Sequence, residues 1–449
     1  MNHNIVNSVL KPVTKSYGGV RIPEIDRTYG NKPAILPNPN MVRIPLSMHI
    51  GKPCDPIVSV GDKVQVGQPI ADTDALFSAP IHASVSGTVK AIINNAIVAG
   101  GKKTKLIEIE SDGQMTTWNG LQVPIIKSRE NYIDSIRQSG LVGLGGAGFP
   151  TSVKFNVNQK IDFLIANGAE CEPYNSSDFY TLKYRSIELL DGIKASMYWL
   201  NVKKAIIFIE DNKMEAVKIL QKILAEKSDV YNNIQIMVVP SMYPRGAEKI
   251  VIQMATGRIV PEGKLPVNVN VIVPNVTTLA ETGRYLKTGM PLVNRVITVD
   301  GNAIKKPQNV LAPIGTEIYE ILKFCELDED SVDMVIMGGP MMGISVNDIK
   351  APLIKMNNAI LALTKEESGS HLETECIRCA RCIQACPMNL SPTVMYHAIK
   401  INDMEHAEKL HVMSCIECGS CSYACPAKIP LVHWFREAKN VIHNQGGKK

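Results

Sequence analysis

Eight of the eleven cysteines fall into two runs of one spacing, Cys376, Cys379, Cys382, Cys386 and Pro387, then Cys415, Cys418, Cys421, Cys425 and Pro426. Two copies of C-x2-C-x2-C-x3-C-P are the spacing of paired 4Fe–4S cubanes, in which the fourth cysteine of each run crosses to the other cluster. The spacing therefore assigns Cys376, Cys379, Cys382 and Cys425 to one cluster. Cys415, Cys418, Cys421 and Cys386 go to the second. Eight thiolates could also satisfy zinc, but tetrahedral zinc needs neither the exchange nor the proline. A disulfide framework fits less well still: Met1 to Leu10 holds Asn and His where a secretory signal has an apolar core, so the thiols are expected in a reducing compartment. A chain built on such clusters moves single electrons. Cys54, Cys171 and Cys325 remain, and a buried spectator thiol is the default for each.

The chain has 449 residues, more than one ordinary core accommodates, and this points to three or four structural units. A net charge of +5 from 48 basic and 43 acidic residues gives no footprint for nucleic acid. No stretch reaches the roughly 18 to 20 consecutive apolar residues of a membrane helix, so no direct membrane insertion is expected. The longest uncharged stretch, Leu265 to Ala280, is broken by Pro266 and Pro274 and reads as strand and loop. Gly446 to Lys449 reads as a frayed end.

From about residue 40 to 112 short strands alternate with Gly and Pro turns. Val60-Gly61-Asp62, Ser78-Ala79-Pro80 and Ser86-Gly87-Thr88-Val89 resemble the barrel-sandwich hybrid of lipoyl and biotinyl domains. Asp72 to Phe77 holds no lysine for a swinging arm, so a structural module is expected and not a covalent carrier. From about 128 to 295, helices (Tyr132 to Ser139, Phe179 to Leu200, Lys213 to Lys227, Ala247 to Ala255, Thr278 to Lys287) alternate with aliphatic strands (Phe163 to Ala166, Ala205 to Ile209, Ile234 to Val239, Val269 to Val273). That alternation argues an α/β layer on a largely parallel sheet. Short strands then return around a helix at Thr316 to Leu322, as in a β-grasp unit. Between the cysteine runs, Thr393 to Ile401 and Met404 to Met413 read as helices.

The second chemical feature is Gly140 to Thr151, in which Gly143, Gly145 and Gly148 satisfy G-x-G-x-x-G. A dinucleotide crossover needs a strand before this loop and a helix directly after it. Here a helix precedes, and Pro150 follows. Glycines still let backbone N–H groups approach a phosphate closely, and Lys154 can neutralise one. Asn167 to Tyr174 sits at the end of a strand, where open α/β sheets bind ligands, and its Glu170 and Glu172 are expected to contact a nicotinamide or ribose.

These motifs resemble the FMN- and NADH-binding subunit of respiratory complex I: Gly145-Gly146-Ala147-Gly148-Phe149-Pro150-Thr151 with Lys154, then Asn167, Glu170, Glu172 and Pro173. A closer resemblance, along nearly the entire chain, is to the RnfC subunits of the Rnf-type ion-translocating ferredoxin:NAD+ oxidoreductases. It is carried by Gly18-Gly19-Val20 with Pro23-Glu24, His49-Ile50-Gly51, Tyr243 to Lys249, Pro274 to Thr278 and both cysteine runs. The resemblance implies an α/β multidomain chain: an extended segment (1–39), a barrel-sandwich hybrid (40–127), an FMN/NADH-binding α/β domain (128–295), a β-grasp domain (296–364), a helical two-cluster ferredoxin domain (365–440) and a tail (441–449). It implies Gly143, Gly145, Gly146, Gly148 and Lys154 as FMN and NADH loop contacts. Asn167, Glu170, Cys171, Asn275 and Thr278 would line the flavin, and Phe149, Glu172 and Glu248 would face the nicotinamide nucleotide. Ala169 and Leu144 depart from complex I, which has Asp and Arg there.

The cofactors so implied are two 4Fe–4S clusters and non-covalent FMN, with NAD(H) as substrate. The function implied is a peripheral subunit on the cytoplasmic face of the membrane, trading hydride with NAD(H) and single electrons with the Rnf membrane subunits and their ferredoxin-type subunit. The alternatives are a soluble cobalamin reductase of microcompartments, disfavoured by the Gly18 to Gly51 segment, and a non-enzymatic scaffold subunit, disfavoured by the eight cysteines.

Overall fold

The computed structural model describes residues 9–446 apart from positions 26, 102, 370 and 371, so most of Met1 to Leu10 and the end of the Gly446 to Lys449 tail lie outside the described residues. At its centre is a parallel sheet ordered Ile234–Val239, Lys204–Glu210, Phe163–Gly168, Val271–Ile272. Strands buried on both faces are nearly continuous in Val, Ile and Leu, which is how Leu164, Ile165 and Ile206 to Ile209 read. The chain order 3-2-1-4 reverses direction beside the first strand, and Asn167 bridges Asn275 across that switch point. Helices Ser186–Trp199 and Val276–Thr288 approach closely because Gly192 and Gly283 lie against the opposing backbone, where a Cβ would collide with Leu279 O and Glu188 O.

The single helix expected from Phe179 to Leu200 is two, Ser177–Tyr184 and Ser186–Trp199. Ser186 Oγ donates to the carbonyl of Leu182 at 2.6 Å, and the Arg185 guanidinium pairs with Glu188 and Glu281. A side-chain hydroxyl that engages the carbonyl four residues back bends a helix, and here it coincides with the break. Likewise the helix expected at Met404 to Met413 ends at Lys409, with a 3-10 turn at Val412–Ser414, and the one expected at Thr316 begins at Ile318.

The barrel-sandwich module pairs a four-stranded antiparallel sheet (Met41–Pro45, Lys103–Ser111, Gly87–Ile97, Lys63–Val64) with a three-stranded one (Asp55–Pro56, Pro69–Asp72, Ile81–His82). Leu141, Val142 and Leu144 of the glycine-rich loop pack into this module's core. Lys355, fully buried, ties the same junction by donating to Pro80 O at 2.8 Å and Gly140 O at 2.7 Å. A six-stranded mixed sheet follows, with Asn294–Asp300 and Ala359–Thr364 parallel at its centre and helix Ile318–Phe324 packed beside it, the β-grasp arrangement. Its edge is Ala34–Ile35 from the N-terminal segment, which also bridges Met237 through Leu10 and Tyr243 through Val20. Short helices carry the cysteine runs, closed by Leu431–Gly446. No helix among the described residues is long and apolar enough to cross a membrane.

Candidate functional site

The glycine-rich loop leaves helix Arg129–Gln138 and runs into the five-residue helix Thr151–Phe155. It folds on itself, with Gly143 N–H donating to Phe149 O at 2.8 Å and Gly148 N–H to Gly143 O at 3.1 Å. Gly146 has φ +112°, and a Cβ built there meets nothing within 4 Å. Its backbone therefore faces open space in a conformation that L side chains rarely adopt. Beside Gly145, where a Cβ would lie 3.2 Å from Asn275 Nδ2, stands the N-terminus of helix Val276–Thr288, capped by the Asn275 side chain, which accepts from Thr277 N–H at 2.8 Å. The loop is pinned to this helix, because Leu144 N–H donates to Thr278 Oγ1 at 3.0 Å. A helix N-terminus facing glycine backbone is an anion cradle. Lys154 Nζ lies within 2.8 Å of Glu248 Oε1 and 2.9 Å of Val273 O.

The strand-end turn supplies the acidic residues, and the structure gives them different tasks. Glu170 is buried and accepts from Asp178 N–H at 2.8 Å, Phe179 N–H at 3.0 Å and Ser177 Oγ at 3.2 Å, so its carboxylate caps helix Ser177–Tyr184. Burial first, then the neighbouring Asp178 charge, push its pKa up. Asn167 uses both ends of its amide, donating to Gly246 O at 2.8 Å and accepting from Ala169 N–H at 3.2 Å. The Cys171 thiol is pushed well above its ordinary value by burial, then by Glu210. Glu172 accepts from Met341 N–H at 3.1 Å through Oε2, while its Oε1 is buried without a partner. Burial pushes it up to about 7. The Phe149 ring meets Phe77 of the barrel module edge-on at 5.9 Å.

Glu170, Cys171 and Glu172 also floor a cavity of about 280 Å3 at the carboxyl ends of the first three sheet strands, walled by Asn212, Met242 and Tyr243 and roofed by Arg21 to Ile25. Sequence reasoning missed three of its supports. Lys213 is fully buried, donates to Glu170 O at 3.1 Å and stands 3.5 Å from Glu210 Oε2; nothing in a lone lysine at a helix start signals this. Tyr243 does stand in a motif quoted above, and it turns its hydroxyl to the carbonyl of Cys418 at 2.6 Å. The turn Gly338 to Gly343 is the third: Met341 N–H holds Glu172, and a Cβ on Gly419 would lie 3.0 Å from Met341 O.

The cysteines gather around two apolar cavities. Cys376, Cys379, Cys382 and Cys425 line one with Ile377, Tyr396 and Ile429. Cys386, Cys415, Cys418 and Cys421 line the other with Leu390, Met395 and Phe435. The fourth cysteine of each run thus stands with the other run's three, as the spacing implied. Among the described residues no three potential ligands converge on one point as a single ion requires, whereas four thiols around a void present donors to the corners of a cubane. Polar groups open to a ligand also remain at the glycine loop and at the strand-end cavity: Thr151 Oγ1 and Glu172 Oε1 are buried without partners, and a Cβ on Gly146 would meet nothing within 4 Å.

A family model for the Nuo51 FMN-binding domain matches residues 136–284, one for the RnfC barrel-sandwich hybrid domain matches 14–114, and one for a 4Fe-4S dicluster domain matches 370–426. The cofactors are therefore FMN and iron–sulfur clusters. The C subunit of the proton-translocating ferredoxin:NAD(+) oxidoreductase complex of Clostridium ljungdahlii is 39% identical over 394 residues, covering 85% of this chain and 84% of that one. The C subunit of the Na(+)-translocating complex of Acetobacterium woodii is 38% identical over 431 residues, covering 95% of both chains. In fold the chain is similar to a chain of an NAD+-reducing [NiFe]-hydrogenase (TM-score 0.52, 17% identity, 69% of this chain and 62% of that one). The chain belongs to the RnfC family, the C subunits of the ion-translocating ferredoxin:NAD(+) oxidoreductase complexes.

Proposed function

We propose that this chain is the peripheral electron-exchange subunit of such a complex, on the cytoplasmic face, where it exchanges hydride between NAD(H) and FMN and single electrons between its two 4Fe–4S clusters and membrane-bound partners, including a ferredoxin-type subunit. FMN, when bound, supplies exchange of two electrons with a nicotinamide and one at a time with a cluster. The chain's own residues divide the rest. The backbone of Gly143, Gly145, Gly146 and Gly148, with Lys154 and the Asn275–Thr278 helix start, holds the flavin phosphate. Asn167, Glu170 and Cys171 shape the turn beside the ring. Phe149, Glu172 and Glu248 face the nicotinamide nucleotide, with Glu172 held near neutral pH by its burial.

The observation that carries this reading is Tyr243. Its side chain walls the strand-end cavity beside Glu172 and hydrogen-bonds the backbone of Cys418, so it joins the flavin domain directly to one cysteine set. The test is Gly146→Val. Valine is strained at φ +112° and sets a side chain in the cleft, so flavin retained after desalting is expected to fall at least about tenfold, with iron unchanged. Full flavin content in this variant would remove the loop from the site. NADH added anaerobically to the unaltered protein is expected to bleach the flavin and then the clusters; bleached flavin with clusters left oxidised would break the relay.

A further inference from the structure

Behind the glycine-rich loop lies a buried arginine. Arg295, in strand Asn294–Asp300 of the β-grasp sheet, is 3% exposed. Among the described residues its guanidinium donates to two carbonyls: Nε at 3.0 Å and Nη2 at 2.8 Å to Asn357 O, and Nη2 at 3.3 Å to Leu144 O in the loop. No ion pair among the described residues includes it. The charged groups that face it are held elsewhere. Asp178 accepts from Asn275 Nδ2 at 2.7 Å and from Thr277 Oγ1 at 2.6 Å, and Glu281 is paired with Arg185 and Arg284. Burial pulls Arg295 down to about 10, with Asp178 and Glu281 opposing and Arg185 adding to the fall, so it is charged at neutral pH. A buried cation without a counter-ion is strongly disfavoured unless an anion comes close.

The contact with Leu144 also sets the direction of the loop's backbone. In a trans peptide the carbonyl and the following N–H point to opposite sides, so holding Leu144 O inward turns Gly145 N–H outward. Leu144 N–H is fixed as well, on Thr278 Oγ1. Among the described residues the N–H groups of Gly145, Gly146 and Ala147 have no acceptor, and all three residues are exposed. Successive free N–H groups of this kind form an anion-binding nest. Gly140 to Thr151 carries no charged side chain of its own, and the nearby Lys154 is already paired with Glu248 at 2.8 Å. We infer that Arg295 is a positioning residue for the phosphate of the flavin mononucleotide: it turns Gly145 N–H into the cleft and supplies, from inside the protein, a counter-charge to the dianion. This rests on the reading of the loop as the flavin phosphate site and deepens it. Through Arg295 the β-grasp sheet shares in selecting phosphorylated flavin over riboflavin.

The test compares FMN with riboflavin, which has the same ring and ribityl chain without the phosphate. The full chain, with its iron in place, is freed of flavin by dialysis, and rebinding of each flavin is followed by quenching of its fluorescence. Arg295→Met is expected to lose at least about tenfold in FMN affinity while riboflavin affinity changes by less than about twofold, with iron content unchanged. Arg295→Lys, which keeps the charge, is expected to hold the preference for FMN to within about threefold of the unaltered protein. An unchanged FMN-to-riboflavin ratio in Arg295→Met, or equal losses for both flavins, overturns the inference and leaves Arg295 as a tie between the loop and the β-grasp sheet. If Arg295→Met fails to fold, Arg295→Gln is read the same way, because it keeps an N–H donor for the carbonyls and removes the charge; its expected loss is about three- to tenfold. The unaltered protein gives a separate check. A preference for FMN carried by a buried charge is expected to survive about 0.5 M salt, and its disappearance there would overturn the inference in favour of exposed cations. Failure of the underlying reading looks different, since Gly146→Val would then keep its full flavin content.

Discussion

The two cysteine runs have one spacing and two environments. The set closed by Cys386 is walled by Met395 and Phe435 and touched from three sides: by Tyr243 at Cys418, by the Gly338 to Gly343 turn at Gly419, and by the N-terminal segment, whose Gly19 N–H donates to Ala385 O at 2.9 Å. The set closed by Cys425 meets solvent at Cys379. Spacing decides which thiols share a cavity. Tertiary context decides which cavity faces the flavin domain and which faces outward.

Removing one thiol from each set is the strongest way to break this comparison. Anaerobically purified protein is expected to hold about eight irons and eight sulfides, and either loss should halve that content. Cys421→Ala, in the enclosed set, should also lower stability by more than about 3 kcal/mol, because the metal cross-link holds the junction with the flavin domain. Cys379→Ala should keep its flavin, its hydride exchange with NADH and most of its melting temperature. Equal destabilisation by the two variants, measured by thermal denaturation alongside iron assay, would erase the distinction.

Glu172 sharpens it next, because the turn that holds its carboxylate also packs on the enclosed set. Burial raises its pKa from the ordinary 4.5 to about 7, so the folded state binds the proton more tightly than the unfolded chain does. The associated stability is fully present below pH 4.5 and is lost as pH rises through 7, by about 3 kcal/mol at most. Glu172→Gln should flatten the stability profile across that window and weaken flavin reduction by NADH, with FMN still bound. A profile unchanged between pH 4 and 8 would mean that Glu172 is solvated in the protein.

The smallest effect is expected at Tyr243→Phe. Losing its hydroxyl leaves the Cys418 carbonyl without that donor, at a cost of about 1–2 kcal/mol. Only the enclosed cluster's electron paramagnetic resonance signal should shift. A shift in the exposed cluster's signal instead would reverse the assignment of which set faces the flavin domain.

Much of this was legible in the chain because it depends on short-range order. The cysteine spacing, the glycines of the 143–148 loop and the aliphatic run Ala205 to Ile209 act over a few residues; the structure gathers the cysteines in the crossed sets that the spacing implied and forms a strand at Lys204–Glu210. Where the reading slipped, a distant partner intervened. Arg185 is drawn to Glu281, 96 positions away, beside the break in a helix that apolar periodicity alone would continue. Glu170 and Glu172 look equivalent in sequence, yet one caps a helix and the other is buried under a turn from the β-grasp sheet.

By itself, then, the sequence determined the inventory: eight thiols in crossing sets, a glycine loop beside a strand end, and the order of the modules that carry them. Only the tertiary structure decided exposure and adjacency. Hydrogen-bonded periodicity and ligand spacing are local properties of a chain, whereas burial of Lys213 or exposure of Cys379 depends on which remote segments pack over them, and the free energy of that packing is summed over the whole fold.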